Sequence, residues 1–160
     1  TDTILYQQAE WLLENKKYKE AGDLYLAVGK KKKAIEIYGE NKLLDSLIEI
    51  CRGLTKEENE ELIALCGDYF KKNQHYEYAR EAFLKLDDTK SLVYMNVELK
   101  KWNEAFILSR GNKPLSEYVC LQYAEALILE YKLSNNVFLM GKTKNPYKEI
   151  KNNQLFIRRI

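Results

Sequence analysis

Tyr18-Lys19-Glu20-Ala21-Gly22-Asp23-Leu24-Tyr25-Leu26-Ala27-Val28-Gly29 is the stretch on which the fold turns. Its positions Tyr18, Ala21, Tyr25 and Val28 recur at three- and four-residue steps, which gathers them on one side of a helix. Gly29 then stands where a left-handed residue would close that helix. The pattern returns 58 residues later as Tyr76-x-x-Ala79-x-x-x-Phe83-x-x-x-Asp87. A third copy, 84 residues on, keeps Lys100-Lys101-Trp102-x-Glu104-Ala105 but lacks the later aromatic. An aromatic at the head of a helix fills the gap against its partner, and a small alanine three residues on lets the two axes approach. Each pair leaves an apolar face that the next pair covers. The expected fold is therefore all-α, an irregular tetratricopeptide-like solenoid of helix hairpins.

The same spacing extends in both directions, from Asp2 to about Lys132. Leu5, Ala9, Leu12 and Leu13 share a face of a first helix, and Ala34, Ile35 and Tyr38 mark a short third one. Leu44, Leu47, Ile48 and Cys51 define a fourth, with Gly53 at its expected stop. Thr55 and Glu58 read as a capping box opening a long helix that presents Leu62, Cys66, Tyr69 and Phe70. Three shorter helices follow over 76–86, 91–101 and 102–110. Gly111 and Pro114 set them off from a last helix whose expected stripe is Cys120, Tyr123, Ala124, Leu127, Ile128 and Tyr131.

Composition agrees with this reading. A chain of 160 residues with 46% hydrophobic content can bury a core, and its 7 Gly and 2 Pro leave long segments without a breaker. Charge is unevenly placed: residues 1–133 hold 20 Lys+Arg against 23 Asp+Glu, and residues 134–160 hold 6 against 1. We expect an array over 1–133 and a basic, Asn/Lys-rich tail over 134–160, loose or extended from Ser134-Asn135-Asn136 onward. The near-neutral array lacks the sustained basic face that nucleic acid requires, so no nucleic-acid partner is expected. The chain opens at Thr1 on an already amphipathic stretch, without an initiator Met or a signal, and is expected to be part of something longer. No apolar run reaches the roughly 20 residues of a membrane span, and a soluble, intracellular setting is expected.

Chemistry-bearing motifs are sparse. His75 is alone in an Asn73-Gln74-His75 turn, without a partner at metal-ligand spacing, and is expected in solvent. Cys51, Cys66 and Cys120 sit in apolar helical surroundings that suit reduced core thiols. No phosphate loop, nucleophile elbow or paired-carboxylate motif occurs, so neither catalysis nor a cofactor is expected. The residues singled out are therefore those of repeat packing: Tyr18, Ala21, Tyr25, Ala34, Tyr38, Tyr76, Ala79, Phe83, Trp102 and Ala105. Beside them stands Lys30-Lys31-Lys32-Lys33, read as a solvated helix terminus, with contact to an acidic partner or a lipid headgroup as the alternative.

Further stretches carry a family resemblance: Lys33-Ala34-Ile35-Glu36-Ile37-Tyr38, Leu47-Ile48-Glu49-Ile50-x-Arg52-x-Leu54, Cys66-x-x-Tyr69-Phe70 and Lys90-Ser91-Leu92-Val93. With Val97-Glu98, Trp102-x-Glu104-Ala105-Phe106-x-Leu108 and Tyr123-Ala124-Glu125, the chain resembles the intraflagellar transport complex A subunits of the 122 type, from about Ala9 to Ile128. The resemblance implies propellers of the WD40 kind upstream and helical repeats that hold other subunits of complex A, with ciliary membrane-cargo adaptors as further partners. It also implies retrograde transport, cargo entry and a place on the cytoplasmic side of the cilium and basal body, with no catalytic residue. From Leu129 onward the pattern is not matched. A helical segment of a vesicle-coat or other trafficking subunit is the alternative, since it shares irregular repeats of this kind.

Overall fold

The computed structural model of the chain describes residues 2–139, which form nine α-helices with no strand among the described residues. The chain divides into two compact units. The first, through Asp88, holds α1 (Asp2–Glu14), α2 (Tyr18–Ala27), α3 (Lys31–Glu40), α4 (Leu44–Gly53), α5 (Lys56–Lys72) and α6 (Tyr76–Lys85). The second, from Thr89, holds α7 (Thr89–Glu98), α8 (Trp102–Leu108) and α9 (Lys113–Leu139).

One turn recurs between these helices. Lys16, Gly29, Lys42, Gln74, Asp87, Lys100 and Gly111 all lie in the left-handed region, with φ between 54° and 80°. The next residue's N–H reaches back five residues to a helix carbonyl: Lys17 to Leu12, Lys30 to Tyr25, Leu43 to Tyr38, His75 to Phe70 and Lys101 to Asn96, each at 2.8 Å. This closure satisfies carbonyls that a helix end otherwise leaves open. Lys16, Gly29 and Lys42 stand thirteen residues apart, as do Gln74, Asp87 and Lys100. The module is thus a single helix of ten residues plus a three-residue turn, interrupted by the extended exit of α4 and the 17-residue α5 and shortened at the seven-residue α8. Gly29 and Asp87, paired in the sequence repeat, occupy the same position of this turn.

Most of these turns place an L side chain where left-handed backbone costs about 1–2 kcal/mol. Gly29→Ala is expected to destabilise by about 1 kcal/mol, because nothing within 4 Å offers its methyl a compensating contact. Gln74→Gly should instead leave stability unchanged or raise it. Urea midpoints of the two variants check this, and equal losses at both sites would contradict the account.

Within the first unit α1 packs on α2, α2 on α3, α3 on both α4 and α5, and α5 on α6. Glycines take rings from neighbouring helices. A methyl at Gly22 would fall on the Tyr38 ring, one at Gly39 on the face of Tyr69, and one at Gly67 would lie 2.7 Å from Phe83 Cε1. In the second unit α7, α8 and α9 pack on one another around Val93, Phe106, Val119 and Tyr123. The Trp102 and Phe106 rings lie 5.0 Å and 5.6 Å from Tyr123.

The structure corrects several expectations. Thr55 occupies the N-cap of α5 with extended backbone, but its hydroxyl makes no capping bond. Asn59 departs from helical geometry (φ −136°, ψ 32°), so the first turn is not the regular one a capping box needs. Gly53 ends α4 without a positive φ, and the extended Leu54 provides the exit. Along α5 the buried positions are Ile63, Cys66, Gly67 and Phe70, with Leu62 and Tyr69 half-buried. On α9 the buried stripe is Leu115, Val119, Tyr123 and Leu127, whereas Ile128 and Tyr131 are exposed. Helix α9 is apolar on more than one side, so its sequence does not single out the face that meets α7 and α8. It also continues through Leu139, so Ser134-Asn135-Asn136 is helical. The remainder of the expected tail lies outside the described residues.

Candidate functional site

Tyr18, Tyr76 and Trp102 open α2, α6 and α8 and are half-buried, while Ala21, Ala79 and Ala105 are fully covered. Tyr25 and Phe83 are buried in α2 and α6, and Ala34 and Tyr38 in α3. Sequence reasoning missed what the tyrosine hydroxyls do. Tyr25 Oη donates to the Glu10 carboxylate and Tyr38 Oη to Asp23, each fifteen residues back, so the ring is buried and its polar tip reaches the rim. Burial raises both phenols above their ordinary range, and the carboxylate bonds raise them further. Burial also works to raise Asp23, but the bond from Tyr38 and the Lys19 ammonium at 3.1 Å outweigh it and hold this carboxyl below its usual value.

Tyr38 also lies on the wall of a groove of about 470 Å³ bounded by α2, α3 and α4. Leu26, Ile50 and Leu54 supply apolar surface, and Lys19, Asp23, Lys31 and Glu49 supply charge. A second hollow, of about 710 Å³, is lined by Lys30 to Lys33 with Glu36, Asn59 and Leu62, so Lys31 borders both. The structure places this lysine run more sharply than its sequence does. Lys30 is the N-cap of α3 and Lys31, Lys32 and Lys33 fill its first turn, which contains no acid. Cations are disfavoured there by the helix dipole. Proximity to the end of α2 is therefore an incomplete account of the cluster.

A polar clasp joins α4 to α6. Arg52 donates to both Glu81 oxygens, at 2.7 Å and 3.1 Å, and Lys85 Nζ donates to the Cys51 and Arg52 carbonyls at 2.8 Å, covering the C-terminus of α4. His75 is half-buried at the N-cap of α6, contrary to its expected place in solvent. It stacks on Tyr78 at 3.7 Å, and its Nδ1 accepts from the Tyr78 N–H at 3.4 Å. The three cysteines are free. Cys51 and Cys66 are buried together, and their mutual hydrogen bond and the burial push the Cys66 thiol up. Among the described residues no group of three His, Cys, Asp or Glu side chains could hold a metal, and no helix is long and apolar enough to cross a membrane.

The bond from Arg52, against a burial effect of opposite sign, holds Glu81 below the usual carboxylate range, as Tyr38 and Lys19 hold Asp23. A carboxyl depressed by folding stabilises above its unfolded pKa of about 4, and that stabilisation is lost as pH falls through the folded value. The melting temperature is expected to fall as pH drops from about 5 to 3, and to fall less in an Asp23→Asn, Glu81→Gln double variant. A thermal-unfolding series across that range checks the difference, and parallel pH profiles would count against it.

Short amphipathic helices, one repeated turn and interdigitated aromatic rings define a tetratricopeptide-like helical-repeat protein. The family model described as IFT122, TPR domain, matches residues 1–138, and the chain belongs to that family. Over 127 residues, 79% of the chain, it is 41% identical to the intraflagellar transport protein 122 homolog of Xenopus tropicalis. Over the same length it is 39% identical to the homologs of Homo sapiens and Mus musculus. The chain spans only about a tenth of these relatives, 10–11% of their length.

Proposed function

We propose that this segment is a non-catalytic scaffold of intraflagellar transport, holding neighbouring subunits of complex A during retrograde transport and cargo entry. The observation that carries this reading is the family match over residues 1–138, on a helical-repeat fold that keeps large apolar side chains such as Ile107, Leu121 and Leu129 exposed. Its place is the cytoplasmic side of the cilium and the basal body, and ciliary membrane-cargo adaptors are further partners. The array of 1–133 carries these contacts. A fluorescently tagged chain expressed in ciliated cells is expected to concentrate at the ciliary base and along the axoneme. Accumulation on coated vesicles instead would move the assignment to a trafficking coat.

A further inference from the structure

We infer that the groove bounded by α2, α3 and α4 docks an acidic peptide carrying apolar anchor side chains, with Lys30, Lys31 and Lys32 holding its carboxylates. The inference deepens the scaffold reading and rests on it, by naming the chemistry of one partner segment.

The groove supplies the apolar half of the fit: Leu26, Ile50 and Leu54 stand beside the buried Tyr38 ring in a depression of about 470 Å³, room for one or two large side chains. The acidic side chains that line the groove are already matched. Asp23 is engaged by Lys19 and Tyr38, and Glu49 by Arg52 at 3.1 Å. Lys30, Lys31 and Lys32 form no ion pair among the described residues, and the Lys33 ammonium lies 6.0 Å over the Tyr25 ring. All four are exposed, and Lys31 borders both the groove and the adjoining hollow, whose wall bears one carboxylate, Glu36. The charge left for a ligand is therefore positive and lies directly beside the apolar pocket. A partner offering carboxylates next to a Leu or Phe complements both features.

A membrane surface fits less well. The unit through Asp88 contains fourteen Lys and Arg against eighteen Asp and Glu, so an anionic bilayer meets net repulsion that a narrow peptide avoids. Glu57, Glu58, Glu60 and Glu61, exposed neighbours in sequence of the Asn59 and Leu62 that line the hollow, add negative charge on its α5 side but none to the groove, so the peptide's carboxylates belong at the groove's Lys31 end.

The test uses the purified 160-residue chain and three probes: fluorescein-labelled EELEEFEE peptide, the same length of all-Glu peptide, and vesicles of phosphatidylserine and phosphatidylcholine. Fluorescence anisotropy at about 0.05 M salt should show saturable binding of EELEEFEE, at least tenfold weaker binding of the all-Glu peptide, and no sedimentation with the vesicles. Lys31→Glu with Lys32→Glu should weaken the peptide by at least tenfold at an unchanged or raised melting temperature, since acids suit the first turn of α3, and Ile50→Ser should weaken it while leaving the lysines in place. Equal binding of both peptides, insensitivity to the lysine pair, preference for vesicles, or no binding of EELEEFEE would each overturn the inference. Because the assay contains no ciliary component, any of these failures leaves the family assignment standing.

Discussion

Tyr38→Ala is expected to destabilise the unit through Asp88 by about 3–5 kcal/mol, the range for emptying a buried aromatic site. The Tyr38 ring is 1% exposed and lies against Gly22, so its removal opens a cavity in the α2–α3 seam. The hydroxyl is a smaller part of the effect. Tyr38→Phe keeps the ring and loses only the bond to Asp23, which retains Lys19, and should cost about 1 kcal/mol. Total stabilities of single domains run near 5–15 kcal/mol, so the alanine variant should lose a large fraction of its stability and unfold at a much lower urea midpoint. Urea unfolding followed by circular dichroism of the full chain gives both values. A Tyr38→Ala loss no larger than that of Tyr38→Phe would mean that the ring does not hold the seam.

Gly39→Ala is the second large effect, and its sign runs against helix propensity. Alanine in place of a helical glycine ordinarily gains about 1 kcal/mol. At Gly39 the methyl would sit on the face of the Tyr69 ring, among its Cγ and Cδ atoms, so α3 and α5 must separate or Tyr69 must leave its position. Overpacking of this kind typically costs about 1–3 kcal/mol, enough to outweigh the propensity gain. Gly53 supplies the internal control. It is also helical, has no positive φ and has nothing within 4 Å of its would-be methyl, so Gly53→Ala should be neutral or stabilising. Melting temperatures that rise for both variants would refute the close-approach account.

The helices themselves were legible because short amphipathic segments with few breakers admit little else, and the Tyr18/Tyr76 repeat did mark equivalent helices. What stayed hidden depends on backbone states and partners that local sequence does not encode. Lys16, Lys42, Gln74 and Lys100 take the left-handed position without being glycine, so the thirteen-residue module is invisible to a search for Gly stops. The visible repeat lies in its alanines, whereas Tyr38, Tyr69 and Phe83 pack so as to leave no room for a methyl at Gly22, Gly39 and Gly67, residues that look like defects inside helical runs. Arg52 and Glu81 are 29 residues apart, and no spacing rule links them. His75 carried a readable signal, a polar residue just ahead of Tyr76, but its ring stacking on Tyr78 required the fold. Of the proposed docking groove, the lysine run was evident and its position at the head of α3, beside an apolar hollow, was not.

The central claim is that this folded segment holds complex A subunits, and affinity capture tests it most directly. The tagged chain and its Tyr38→Ala variant would be purified from ciliated cells and the co-purifying proteins identified by mass spectrometry. The account predicts that complex A subunits accompany the intact chain and are depleted from the variant. Recovery of coat proteins with the intact chain, or of complex A subunits equally with a demonstrably unfolded variant, would contradict it.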